Sequence, residues 1–295
     1  MSHTINGRSV RLGIAGLAFS AVALAGCSSD SDGSATEGAA SSRSQPSRTA
    51  SSASAPASRL DVIRQRKVMT VCTTGDYRPF TYLDPKTKQY QGIDVDMAKS
   101  LATSLDARIQ WVPTTWKTLM PDFTTKCDIG MGGVSISTER AQQAFFSEPV
   151  LTEGKTPITL CKNVARYDTV AEINAPGVRS ITPEGGTNEK FARANYPRGT
   201  VTTWKDNNTI FDQIIAGKAD VMTTDASETV WVAHTHPQLC AVHPEKPFNF
   251  SQKAYLVPRG DTVFQEYVNQ WLTTARHDGT WSKATKPWFG ATTLS

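Results

Sequence analysis

The sequence predicts an α/β fold of two consecutive lobes with a ligand cleft between them, and three observations carry that expectation. From Arg59 onward, short runs of strand character alternate with amphipathic helical runs, the pattern of a mostly parallel sheet flanked by helices. The alternation restarts near Thr156, giving two blocks of roughly 100 residues, an ordinary domain size. Loops rich in glycine and hydroxyl groups recur where strands lead into helices, the place where open α/β sheets hold their ligands.

In the first block, Leu60 and Ile63 mark a short amphipathic helix, and Val68 to Cys72 reads as a buried strand. Asp94 is placed to cap a helix burying Met97, Ala98, Leu101 and Leu105. Ile109 to Val112 is the next strand, and Trp116, Leu119, Met120 and Phe123 recur at helical spacing. Ile129, Met131 and Val134 belong to a strand running into Ser135, and a helix is expected from Arg140 to Phe146. The second block opens with a strand at Thr156 to Leu160. Further strands follow at Val178 to Ile181, Val201 to Trp204 and Val221 to Thr223, with helices at Asn188 to Asn195, Asn207 to Ala216 and Ala226 to Ala233. Lobe one is then 59–154, lobe two 155–252, and 253–291 returns to lobe one. Crossovers near Lys155 and Phe250 make two connections, which suits hinge closure around a ligand.

The N-terminus has a separate character. Arg8 and Arg11 precede an apolar run from Leu12 to Leu24 that is too short to span a bilayer as a stable helix. Leu24-Ala25-Gly26-Cys27 follows, and small residues before a cysteine suit a signal-peptidase cleft. Residues 1–27 therefore read as a lipoprotein signal ending at Cys27 as the lipid attachment site. Residues 28–58 are Ser, Ala, Gly, Thr and Pro with scattered charge. Such a segment buries too little to offset its ordering entropy and is expected to be a flexible tether to the membrane.

Composition excludes several classes. The net charge is +4 and no block of Lys or Arg tracks a phosphate backbone, so nucleic acid is not expected as a partner. Beyond Cys27 the cysteines are Cys72, Cys127, Cys161 and Cys240, with no C-x-x-C pair, which argues against zinc or a redox motif. Outside the cytoplasm disulfides are permitted. Cys161 with Cys240 is the preferred bridge, because both fall in lobe two, whereas the pairing of Cys72 with Cys127 is left open. His234 and His236 stand two apart and do not share a helix face, so no metal is expected there, and no cofactor elsewhere.

Four loops carry the chemistry. Gly185-Gly186-Thr187-Asn188 opens a helix, where glycines admit an anion to free N–H groups; a plain glycine turn is the commoner meaning of such a pattern. Glu189 follows in the first turn, a position where acids also simply complement the helix dipole. Ser135, Ser137 and Arg140 place hydroxyls and a guanidinium fork after a strand, suited to a carboxylate, although a helix cap with a solvated arginine has the same look. Asp225 ends a strand and could receive an ammonium or cap the next helix. Tyr77 and Trp116 could wall a ring-shaped ligand or pack in the core. Lys155 could answer a second carboxylate or lie on the surface.

Their joint order is what distinguishes them. Thr74-Gly75-Asp76-Tyr77-x-Pro79-Phe80, Gly92-Ile93-Asp94-Val95-Asp96-Met97-Ala98, Asp128-Ile129-Gly130, Ser135-Ile136-Ser137-x-Glu139-Arg140 and Gly217-Lys218-Ala219-Asp220 resemble the type II periplasmic solute-binding proteins of the polar amino acid class. The resemblance covers the chain from about Leu60 to about Trp288. It implies the two-lobed periplasmic-binding-protein-like fold, with Arg140 holding a ligand α-carboxylate and Asp225 an α-ammonium. A narrower likeness runs through Gly154-Lys155-Thr156-Pro157-Ile158-Thr159-Leu160-Cys161 and Gly185-Gly186-Thr187-Asn188-Glu189-Lys190-Phe191-Ala192-Arg193-Ala194-Asn195. It continues in Asp206-Asn207-x-Thr209-Ile210-Phe211, Leu239-Cys240-Ala241-Val242-His243-Pro244 and Lys253-Ala254-Tyr255-Leu256. These look like the cyclohexadienyl dehydratases, enzymes on the solute-binding fold that convert prephenate to phenylpyruvate and arogenate to phenylalanine. That likeness implies Glu189 as general acid with a raised pKa, and Tyr77, Trp116, Ser135, Ser137, Arg140, Lys155, Thr187, Asn188 and Asp225 around a small anionic substrate. The lipobox and tether depart from those enzymes, as does Ala226-Ser227-Glu228-Thr229-Val230-Trp231. An anchored receptor serving an ABC transporter permease for polar or aromatic amino acids is the alternative expectation.

Overall fold

The computed structural model describes residues 57–289; the expected signal, Cys27 and nearly all of the tether lie outside them. Within the described residues the chain builds two five-stranded sheets. In the first, Val68–Thr73 lies between Arg108–Pro113 and Ile129–Gly130, parallel to both. Leu256–Pro258 then adds antiparallel to Ile129–Gly130, and Ala144–Phe146 closes the edge. The sheet is held by helices whose apolar residues recur every four positions: Ile93, Met97 and Leu101 on Ile93–Ser104, and Phe264, Val268 and Leu272 on Thr262–His277. That spacing puts each set on one buried face. Asp261 caps the second of these helices, accepting from Phe264 N (3.0 Å), and also receives Ser58 Oγ (2.7 Å) and Arg59 N (2.6 Å). The start of the described chain is thereby tied to the head of this helix.

The second sheet runs Thr200–Trp204, Arg179–Pro183, Val221–Asp225, Lys155–Leu160, Leu239–Ala241. Its first three strands are parallel, while Lys155–Leu160 is antiparallel to both its neighbours. Each sheet is thus mixed rather than mostly parallel. The chain enters lobe two through Leu151–Glu153 and leaves through Ser251–Lys253, and these two crossovers pair with each other antiparallel. A two-stranded ribbon joins the lobes.

Local expectations fail where tertiary pairing overrides them. The helix expected from Arg140 to Phe146 stops after Thr138–Ala141, because Ala144–Phe146 is taken up as a strand against Leu256–Pro258. Asp94 does not cap its helix: Gly92 holds that position, and Asp94 is buried, accepting from Gly132 N (3.0 Å) and Gly133 N (2.6 Å). The segment expected to be helical from Asn207 begins as a single 3₁₀ turn, Asn207–Thr209, before Ile210–Ile215. Cys161 is bonded to Cys240 and Cys72 to Cys127, with Cα separations of 4.8 and 5.7 Å. Cross-links spanning 79 and 55 residues each remove denatured-state freedom worth roughly 4 kcal/mol in the chain-entropy account.

Candidate active site

The carboxyl ends of both sheets face one another across a gap of only about 10 Å³. Lobe one contributes Tyr77, Trp116 and Ser135; lobe two contributes Thr187, Asn188 and Asp225; the return crossover contributes Lys253. The lobes are closed. A Cβ on Gly185 would stand 2.7 Å from Lys117 N, and φ there is +80°, so only glycine lets the two backbones approach this nearly. Small-molecule sites usually hold roughly 300–1,000 Å³, so the jaws must part to admit a substrate.

At the centre is Asp225, 1% exposed. Sheet register sets Lys155 directly opposite it, and Lys155 Nζ makes an ion pair with Oδ1 at 2.7 Å. Oδ2 accepts from Tyr77 OH at 2.5 Å and pairs with Lys253 Nζ. Lys253 Nζ also donates to Ser135 Oγ (3.0 Å) and lies 3.6 Å from Glu153 Oε1. Burial alone would raise the Asp225 pKa, but Lys155 and Lys253 hold it well below the usual carboxylate range. Burial lowers the pKa of Lys155 against the opposing pull of Asp225, and raises that of Glu153 against Lys253.

A hydrogen-bond chain leads from this cluster to a second acid. Lys155 Nζ donates to Thr187 Oγ1 (3.0 Å) and to Asn188 Oδ1, and Asn188 Nδ2 donates to Thr224 Oγ1 (2.8 Å). Thr224 Oγ1 in turn donates to Glu228 Oε2 (2.6 Å), and Asn207 Nδ2 donates to Glu228 Oε1 (2.6 Å). Glu228 is 1% exposed. Burial pushes its pKa up to about 8, and Asp225 and Asp76 add to the rise against the hydrogen bonds from Thr224 and Asn207. The shift favours the protonated form of this buried group at neutral pH.

The structure rearranges several expected roles. Glu189 does not line the gap. Its Oε2 accepts from Gly185 N (2.6 Å) and its Oε1 pairs with Arg193 Nε (2.7 Å). Burial works to raise its pKa, yet Gly185 N–H, Arg193 and Lys117 bring it below the ordinary value, the opposite of the shift a resting acid needs. Ser137 also stays out of the gap, capping the short helix through Arg140 N (3.2 Å). Arg140 is buried behind Ser135, donating to Ser135 O (2.7 Å), and desolvation lowers its pKa to about 10. Each oxygen of Asp225 already faces a protein ammonium, Lys155 at Oδ1 and Lys253 at Oδ2. Lys155 is buried under the gap, not on the surface.

Sequence reasoning passed over Lys253, Glu153, Asn207 and Glu228 as site residues. Glu228 stands four residues after Thr224, and its signal was the same as that of Glu189, an acid in a helical first turn. What separates the two is burial, which only the packing of Asn207 and Thr224 over Glu228 creates.

Comparisons with known proteins place this geometry. Residues 69–291 match the bacterial extracellular solute-binding proteins, family 3. The cyclohexadienyl dehydratase of Pseudomonas aeruginosa is 51% identical over 234 residues, covering 78% of this chain and 86% of that protein. Among solved structures, an ancestral amino acid-binding protein described as a precursor of cyclohexadienyl dehydratase superposes with a TM-score of 0.72 at 32% identity, covering 78% of this chain and 99% of that one. An ancestral cyclohexadienyl dehydratase gives a TM-score of 0.50 at 46% identity, covering 79% and 97%.

Proposed function

The chain belongs to the bacterial extracellular solute-binding proteins, family 3, and from that premise we propose that it is a cyclohexadienyl dehydratase, converting prephenate to phenylpyruvate, arogenate to phenylalanine, or both. The observation that carries the reading, beside the likeness to the Pseudomonas enzyme, is the cluster of buried cations at the gap, Lys155 and Lys253 on Asp225.

The reaction needs an acid beside those cations. Loss of the ring hydroxyl as hydroxide is unfavourable, so an acid must protonate it; a positioned acid of this kind contributes roughly 10²–10⁴ in rate. In the proposed step a carboxyl passes its proton to the leaving oxygen, the C–O bond breaks and water departs; the likeness to the dehydratases gives that role to Glu189, one residue beyond the Gly185-to-Asn188 segment that lines the gap. The C–C bond to the ring carboxylate breaks with it, its electrons enter the ring, and CO₂ leaves. Lys155, Lys253 and Arg140 supply positive charge for the substrate carboxylates, the lysines exchanging Asp225 for the ligand as the lobes close over it. Thr187, Asn188 and Ser135 complete the polar wall, and Tyr77 and Trp116, edge to face at 5.2 Å, bound the ring. In the closed form Glu189 is turned to Gly185 N and Arg193, and it exchanges them for the substrate to act as the acid.

Incubating the purified protein with prephenate and following phenylpyruvate tests the reading. Because the acid form of the donor is the active one, turnover is expected to fall roughly tenfold per pH unit above the pKa of the donor in the substrate complex. No product from prephenate or arogenate removes the enzyme reading. The alternative, a binding receptor for a transporter permease, draws on the likeness to the amino acid-binding precursor; it predicts thermal stabilisation by an amino acid without turnover.

Membership of an extracellular family supports export, and the Leu24-Ala25-Gly26-Cys27 segment supports attachment of lipid at Cys27. Cys27→Ser is expected to move the protein from the membrane fraction to the soluble exported fraction. An unchanged distribution contradicts the anchor.

A further inference from the structure

One wall of the gap is assembled from two segments far apart in the chain. The loop from Gly132 to Ser135 brings Gly133 and Ser135 to the gap, and the return crossover brings Lys253. The two are laced together, Ile136 N donating to Gln252 O (2.8 Å) and Ala254 N to Val134 O (3.0 Å). Lys253 Nζ adds its bond to Ser135 Oγ (3.0 Å). Tyr77 lies directly on the loop backbone: a Cβ on Gly133 would stand 2.5 Å from its ring. A shift of this loop therefore disturbs Tyr77, Ser135 and Lys253 together.

Beneath the loop is Asp94, 2% exposed, the second residue of the helix Ile93–Ser104. Its Oδ2 accepts from Gly132 N (3.0 Å) and Gly133 N (2.6 Å), and its Oδ1 accepts from Tyr255 OH (3.2 Å), two residues beyond Lys253. One side chain thus ties the loop to the return segment. As a carboxylate it only accepts, and all three donors are satisfied. A proton on it goes to Oδ1, because Oδ2 faces two N–H groups, and this new O–H then needs the Tyr255 oxygen as its acceptor. The Tyr255 hydroxyl hydrogen is left without a partner, since Tyr255 is fully buried and its hydroxyl has no other partner among the described residues. A buried donor left unpaired is costly, so the protonated state loosens the tie. The titratable and charged groups facing Asp94 are Tyr255 and Lys253 on the return segment, with Arg276 of Thr262–His277 acting on Tyr255. Tyr77, over Gly133, ionises only well above its ordinary value. Burial pushes the Asp94 pKa up to about 6, against the hydrogen bonds from Gly133, Tyr255 and Gly132 and the charge of Lys253.

We propose that Asp94 is a positioning residue for the reaction: only its carboxylate form holds the Gly132-to-Ser135 loop and the return crossover in the arrangement that turns over substrate. Asp94 lies behind the loop and does not line the gap. The inference rests on the dehydratase reading and adds to it an acid limb whose source is outside the reacting groups.

The test is prephenate turnover by the full chain from pH 5 to pH 7.5, corrected for the uncatalysed reaction, for the unaltered protein and Asp94→Asn. For the unaltered protein kcat/KM is expected to fall about tenfold between pH 7 and pH 5. Asparagine imitates the protonated acid: its oxygen accepts from the two glycines and its amide presents a donor to Tyr255. The variant should be about tenfold slower at pH 7, equal to the unaltered protein within about twofold at pH 5, and flat between. Stability runs the other way. A folded-state pKa raised from 3.8 to about 6 makes this group's contribution full below 3.8 and lost as the pH rises to about 6, so the variant should unfold at or above the temperature of the unaltered protein at pH 7. An unaltered rate at pH 7, or a limb near pH 6 that persists in the variant, overturns the inference. So does a variant slower by the same factor at both ends, which is what a merely structural defect gives. If Asp94→Asn fails to fold, Tyr255→Phe decides: without that hydroxyl the carboxylate loses a bond that lowers its pKa, and the limb should move to higher pH, an unmoved limb overturning the inference. Turnover with no limb near pH 6 in the unaltered protein removes this inference alone; no turnover at any pH removes the dehydratase reading and this inference with it.

Discussion

Glu189→Gln is expected to abolish prephenate turnover, lowering kcat by roughly 10²–10⁴, while the fold and ligand binding survive. Glutamine keeps the length of the side chain, and its oxygen can still accept from Gly185 N. What it lacks is a transferable proton. The pair with Arg193 that it breaks is half-exposed, a contact worth at most about 1 kcal/mol. Glu228→Gln is the matched control: its carboxyl faces a separate cavity walled by Asp76 and Asn207, not the gap, and kcat of the folded variant should stay within a few-fold. Measuring kcat and KM for both variants separates the two acids. A comparable loss at Glu228, with turnover retained at Glu189, would move the acid role to the helix after Asp225.

The second large effect concerns Asp225→Asn. Asp225 is the shared counter-charge of Lys155 and Lys253, and removing one member of a buried ion pair commonly costs about 3–5 kcal/mol because the partner charge is left unpaired. Here two ammonium groups lose their partner together, with Glu153 3.6 Å from Lys253 as the nearest remaining acid. At about 2–4 °C per kcal/mol for a domain of this size, thermal unfolding of the free protein should fall by roughly 6–20 °C. A dianionic ligand should restore much of that loss, since the lysines then meet the substrate's carboxylates instead. Differential scanning of the variant with and without prephenate reads both effects. A variant as stable as the unaltered protein would mean that the cluster is not ionised, and the proposed exchange of Asp225 for substrate would fail.

Much of this fold is legible in the sequence because its elements obey local rules. The four-residue recurrence of Ile93, Met97 and Leu101 marks a helix whatever surrounds it, and the glycine loop before Asn188 marks a strand-to-helix turn at the cleft. Arg140 to Phe146 misleads because its helical propensity is overridden by pairing with Leu256–Pro258, which joins the sheet only after the whole of lobe two has been made. Asp94 misleads for a related reason. Its carboxylate is spent on the Gly132 and Gly133 N–H groups of a distant loop, so the cap falls to Gly92.

The site divides along the same line. Tyr77, Trp116, Ser135, Thr187, Asn188 and Asp225 stand in the gap because strand ends and helix starts put them there. Lys253 reaches the cluster only because the return crossover pairs with the outgoing one. Glu189 and Glu228 have the same local signature, an acid in the first turn of a helix, and opposite fates. The first meets a backbone N–H, an arginine and solvent; the second is shut beneath Asn207 and Thr224. Proton affinity follows surroundings assembled from distant segments, which residue order alone does not display.

The measurement that bears most directly on the account is formation of phenylpyruvate from prephenate by the purified protein, followed beside its Glu189→Gln variant. The account predicts product from the unaltered protein and a rate at least about a hundredfold lower from the variant. No product from the unaltered protein, or equal rates from the two, contradicts it.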